Sequence, residues 1–251
     1  MKFELLPVVD VMTEFYKKPL NHTRFQEYLH ILHGDTKGIL KCPVSSFNPM
    51  AKEHLLVKLE ELNALHAEEM IRESLNTINA AMANDAPDIT YRLALNVADD
   101  LQGGWTNHYT TDYDSKFKFQ ALIRRQFCVP LFWSSEQYEE ALIRQRTLEY
   151  VYRTYYWQFH PRPSTLAAHI RQEQYVAIKT GIRKRNPDFD FEAADVLFKE
   201  FADTDSYPVI FNFLFGDDAS AELAYPQYGM KDALGGFKYA ASLNRQSVPV
   251  S

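Results

Sequence analysis

Residues 49–83 read PMAKEHLLVKLEELNALHAEEMIRESLNTINAAMA, and the periodicity of this stretch decides the fold class. Leu55, Leu59, Leu62, His66, Met70, Glu73 and Thr77 follow one another at steps of three or four, which lines up one side of an α-helix. Lys58, Glu61, Glu68 and Arg72 gather on the opposite side, as a solvated face does. Pro49 suits a first helical turn, and Pro87 forbids easy continuation past Ala83. One long, central helix over 50–83 is expected.

The same spacing recurs on both sides of it. Residues 8–17, 23–33, 115–125, 135–159, 164–180 and 191–202 read as helices. Gly34 and Gly181 are stops, Ser164 is a cap, and Ser134 with Gln137 forms a capping box. Residues 89–101 are ambiguous, with helix favoured. FCVPLFW at 127–133 is extended because Pro130 blocks a helix there. PVIFNFLF at 208–215 suits a strand or a buried turn of helix, and Gly235-Gly236 reads as a turn. The expected fold is mainly α: a compact multi-helix, bundle-like single domain over 1–251, with at most a minor extended element and a frayed tail at about 242–251.

Composition narrows the function classes. With 46% hydrophobic and 14% aromatic residues, the 251-residue chain can bury a large core. A net charge of -6 argues against a nucleic-acid partner, which needs a basic face. The one basic cluster, Arg183 to Arg185, reads as the solvated end of a helix. Cys42 and Cys128 lack metal-type spacing and make no disulfide scaffold. Glu4 and Asp10 interrupt the N-terminal apolar run, so it does not read as a signal peptide. No stretch approaches the roughly 20 apolar residues of a membrane span. A soluble, cytoplasmic protein is expected, with a small molecule as the candidate partner. Phosphate-loop, nucleophile-elbow and His-Glu-x-x-His motifs are absent from the sequence.

Polar residues inside apolar stripes mark candidate sites. His66 and Glu73 fall in the stripe of 50–83, Gln145 and Glu149 in that of 135–159, and His169 and Glu173 in that of 164–180. A buried carboxylate costs several kcal/mol unless paired, protonated or metal-bound. His66, Glu73, Glu149, His169 and Glu173 are therefore candidate ligands for Fe, Mn or Zn, since helical proteins build such sites from inward Glu and His. The loop GGWTNHYTTDYDSKF, 103–117, supplies a second set. Trp105 can anchor it, and Asn107 can face a ligand, together with Gln145 and Tyr152 from the helix 135–159. His108 is the natural acid–base group, and Asp112, four residues on, can orient it.

Two readings follow. In one, the chain is a metal-dependent enzyme of unassigned reaction. In the other, it is a non-catalytic interaction protein or binds a small ligand such as haem, and the buried polar residues are structural, Glu and His pairing between helices and the loop's Thr and Asp satisfying its own backbone.

Overall fold

The computed structural model describes residues 1–36, 39–51, 53–82, 88–101, 106–181 and 188–243. The chain is mainly helical, with twelve helices and five short strands among the described residues. It divides into two compact units, Met1–Val151 and Tyr152–Ser251.

In the first unit, β1 (Lys2–Leu5) leads into α1 (Val9–Tyr16) and α2 (His22–His33). Asn21 caps α2 by accepting from the Arg24 N–H at 3.0 Å, and Gly34 ends it at a φ of 61°. The expected helix over 50–83 is broken in two. α3 spans Glu53–Ala64 and α4 spans Ala67–Met82, with exposed His66 between them at a φ of 53°. The break resets the helical phase. Ile71, Leu75, Ile78 and Met82 face inward on α4, so Glu73 and Thr77 turn to solvent. α4 is also tied to the start of the chain. Asn79 accepts from the N–H of Phe3 and donates to its carbonyl, both at 2.8 Å, and so covers the outer edge of β1 as a neighbouring strand would. Glu68 accepts from the N–H groups of Val8 and Val9 at 2.7 and 3.1 Å, placing a carboxylate at the start of α1.

The favoured helix at 89–101 is replaced by strands, β2 (Thr90–Leu93) and β3 (Asn96–Ala98). Tyr91 and all seven residues from Leu93 to Asp99 are buried, with only Arg92 exposed between them. β3, covered on both faces, has no alternation to reveal it, and that of β2 spans only four residues. α5 (His108–Phe117) and α6 (Gln120–Arg124) follow, where one helix over 115–125 is expected from sequence. The extended reading of 127–133 corresponds to β4 (Phe127–Cys128) and β5 (Leu131–Trp133). The strands pair in parallel in the orders β1-β2-β4 and β3-β5. Between the two ladders the pairing continues through Ala94 N–H to Cys128 O at 3.0 Å and Asn96 N–H to Pro130 O at 2.9 Å. Pro130 accepts there but has no N–H to return. Ser134 is no helix cap, because α7 (Glu140–Phe159) starts later.

α7 runs on into the second unit, where α8 (Leu166–Thr180) is capped by Thr165 in place of Ser164 and stopped by Gly181. α9 (Phe191–Phe201) follows, and 208–215 belongs to a helix, α10 (Tyr207–Phe215), whose residues from Val209 to Phe215 are all buried. α11 (Asp217–Glu222) and α12 (Gly235–Ser242) complete the unit. Gly235-Gly236 thus opens a helix and is not a simple turn. A Cβ on Gly236 would lie 2.9 Å from Leu214 Cα, so glycine lets α12 approach the backbone of α10. Phe191, Phe198 and Phe213 surround Tyr239 at ring separations of 5.1–5.6 Å.

Candidate functional site

β3 and β5 lie side by side in parallel, so the residues that follow them emerge at the same end. After Ala98 come Asp99 and Asp100; after Trp133 come Ser134 and Ser135. The carboxyl ends of parallel strands are where open α/β sheets place ligands. Ser134 Oγ lies 3.2 Å from Asp99 Oδ1 and 3.0 Å from Asp100 Oδ1, and its single proton serves one carboxylate at a time. The turn carrying the serines is braced by Glu136, which accepts from the Trp133 N–H at 3.0 Å and binds both ends of the Arg146 guanidinium at 2.5 and 2.7 Å.

Asp100 is the hub. Oδ1 also accepts from the Ser135 N–H at 3.0 Å; Oδ2 accepts from Ser135 Oγ at 2.7 Å and faces His108 Nδ1 at 2.8 Å. Burial by itself would raise this carboxyl, but the bonds from Ser135, His108 and Ser134 together hold it below the ordinary aspartate value. An ionised partner places the His108 proton on Nδ1 and leaves Nε2 as an acceptor. Nε2 has no partner among the described residues, and the side chain is 41% exposed against 8% for Asp100. The imidazole stacks on Trp133 with centroids 4.0 Å apart and meets Tyr109 edge-on at 5.5 Å. The Asp100 contact and the stacking on Trp133 thus fix the position and plane of the ring.

Asp99 forms a deeper half. Its Oδ2 accepts from Asn48 Nδ2 at 3.2 Å. His54 Nε2 lies 3.0 Å from Asp99 Oδ1 but outside hydrogen-bonding alignment, and is buried without a bonded partner. The segment before His54 is clamped by side chains. Tyr16 donates to Asn48 O at 2.7 Å, Arg24 to Ala51 O at 2.7 Å, and Asn96 to Pro43 O at 2.9 Å. Burial pushes the Tyr16 phenol well up, so it stays a donor.

Residues singled out from the sequence are distributed differently. Asp112 does not orient His108: it is buried in a close ion pair with Lys116, one helical turn farther on. Asn107 caps α5 by accepting from the Thr110 N–H at 3.0 Å. Trp105 lies outside the described residues. Gln145 donates to Glu149 at 3.0 Å on the same helix. Glu73 is exposed and pairs with Arg144 at 2.9 Å, while His66 sits at the break between helices. In the second unit, Tyr152 meets Tyr175 edge-on at 6.5 Å. His169 is buried with Nδ1 2.7 Å from Thr165 O, and burial lowers its pKa. Glu173 receives both Nε and Nη2 of Arg153, at 2.9 and 2.6 Å. Among the described residues no three His, Cys, Asp or Glu side chains are grouped so as to hold a metal ion, and the inward His/Glu set does not assemble there.

Asp99, Asp100, His54 and Asn48 were missed. Their signal is an apolar run, TYRLALNVA, that ends abruptly in two acids, matched by FCVPLFW ending in two serines. No family model, curated protein or solved structure matches the chain. No described helix is long and apolar enough to cross a membrane.

Proposed function

We propose that the chain is an enzyme that acts on a small molecule by acid–base chemistry, with His108 as the general base and Asp100 as its orienting acid. The observation that supports this most is the 2.8 Å contact from His108 Nδ1 to Asp100, which leaves Nε2 unpartnered on a half-exposed ring. A water or substrate hydroxyl bound at Nε2 would give its proton to that nitrogen as its oxygen attacks. Asp100 would stabilise the imidazolium, which later returns the proton to the leaving group. Ser134 and Ser135 hold the acid and take no covalent part. This reading uses none of the five His/Glu residues considered as metal ligands. The free thiols of Cys42 and Cys128 suit a reducing compartment, and we read the protein as cytoplasmic.

A second reading, ligand binding without turnover, is favoured by the stacking of His108 on Trp133, a flat aromatic surface beside hydrogen-bonding groups. Activity toward chromogenic esters, phosphate esters and glycosides separates the two. Under the first reading, turnover falls by roughly 10²–10⁴ in His108→Gln with folding intact. Turnover equal in wild type and His108→Gln removes His108 from catalysis, and binding of a flat ligand without turnover favours the second reading.

A further inference from the structure

A cavity of about 380 Å³ opens beside the end of α2 and β2, and its lining includes His33, Asp35, Ile39, Lys41 and Arg92. Most lysines elsewhere face a carboxylate, among them Lys2, Lys17, Lys58, Lys118, Lys199 and Lys238. Lys41 Nζ and the Arg92 guanidinium have no hydrogen-bond or ion-pair partner among the described residues. In a chain of net charge -6, two unpaired cations on the wall of one cavity are notable. Two carbonyls at the end of α2 are already met by backbone: His30 O by the Gly34 N–H at 2.6 Å, and Leu32 O by the N–H groups of Lys41 and Cys42 at 2.9 and 3.3 Å. Glu4, beside Arg92 in the strand register, is held by Lys2 at 2.7 Å. The Asp35 carboxylate is 96% exposed and faces His30 at 3.6 Å.

Both cations are exposed side chains that line the cavity, and each is held at its stem or face. Arg92 is laid over the Phe127 ring, 4.4 Å from its centroid, which fixes the plane of its donors. The Lys41 stem packs across Gly34. His33 on the rim donates Nδ1–H to Ile39 O at 3.1 Å, which ties Ile39 to the end of α2 beside the two cations. A planar fork and a point charge make a recognition set for phosphate oxygens. Exposed Ile39 offers an apolar lip to the body of the ligand. We infer that this cavity is a binding site for a small organic phosphate. It is independent of the His108 site: Arg92 precedes Asp99 by seven residues of mostly extended chain, about 20 Å.

The test is calorimetric titration of the full chain at low ionic strength with glycerol phosphate, inorganic phosphate and acetate. Saturable binding of one equivalent of glycerol phosphate is expected, weakened at least about tenfold in Lys41→Gln and in Arg92→Gln and unchanged in Lys231→Gln. Because Arg92 lies in a strand, Lys41→Gln carries the decision if Arg92→Gln proves unstable. The absence of saturable binding overturns the inference, as does unchanged affinity in a folded Lys41→Gln protein, or acetate binding as tightly as phosphate.

Discussion

Asp100 owes its ionised state to four donors from three residues, and that dependence can be measured. Its carboxyl titrates lower in the folded chain than unfolded, so the unfolded chain takes up the proton first as pH falls. The stabilisation is present above the ordinary carboxylate value of about 3.9 and is lost as pH drops from there toward the lower folded value. Urea unfolding between about pH 5 and pH 3 should therefore show a shallower loss of stability in Asp100→Asn than in the wild type; equal slopes would mean that the four bonds do not favour the charged form. His108 stands out in the sequence as a histidine in a polar loop, but its partner does not. Asp112 is at the right helical spacing, yet Lys116 has the same spacing to Asp112 and takes it.

At the scale of elements, His66 shows how a local break redirects a whole helix face. A non-glycine residue in the left-handed region costs roughly 1–2 kcal/mol, part of which glycine recovers. His66→Gly should raise stability by about 0.5–1 kcal/mol in urea unfolding, since the imidazole is exposed. A loss would show that the side chain makes a stabilising contact at the break. The helical stripe reads straight through this point, because leucines before it and Met70 beyond it keep their spacing. The strands fail to show for a different reason. β3 is buried at all three residues, so no alternation marks it, and the alternation of β2 runs over only four residues.

At the scale of the molecule, each compact unit has its own core and its own buried polar anchor. In the second unit this is Arg153 with Glu173, whose side chains are 3% and 4% exposed. Removing one partner of such a pair leaves a buried charge, at a cost of about 3–5 kcal/mol. Glu173→Gln should lower hydrogen-exchange protection of the amides in α10 and α12, with little change in α3 and α4. An equal loss in both sets would mean that the two units open as one cooperative body.

Helix content, the stops at Gly34 and Gly181 and the extended run at 127–133 were legible in the sequence because they depend on neighbours within a few residues: Gly34 ends α2, Gly181 follows the last turn of α8, and Pro130 blocks its own helix. The candidate site depends on residues far apart in the chain. Ser134 meets Asp99 and Asp100 across 35 and 34 residues, and Asn48 meets Asp99 across 51. A sequence can place an acid or an imidazole on an apolar face. Which partner neutralises it is decided only when folding brings distant segments together, and the cost of burying an unpaired charge then selects the nearest satisfactory donor.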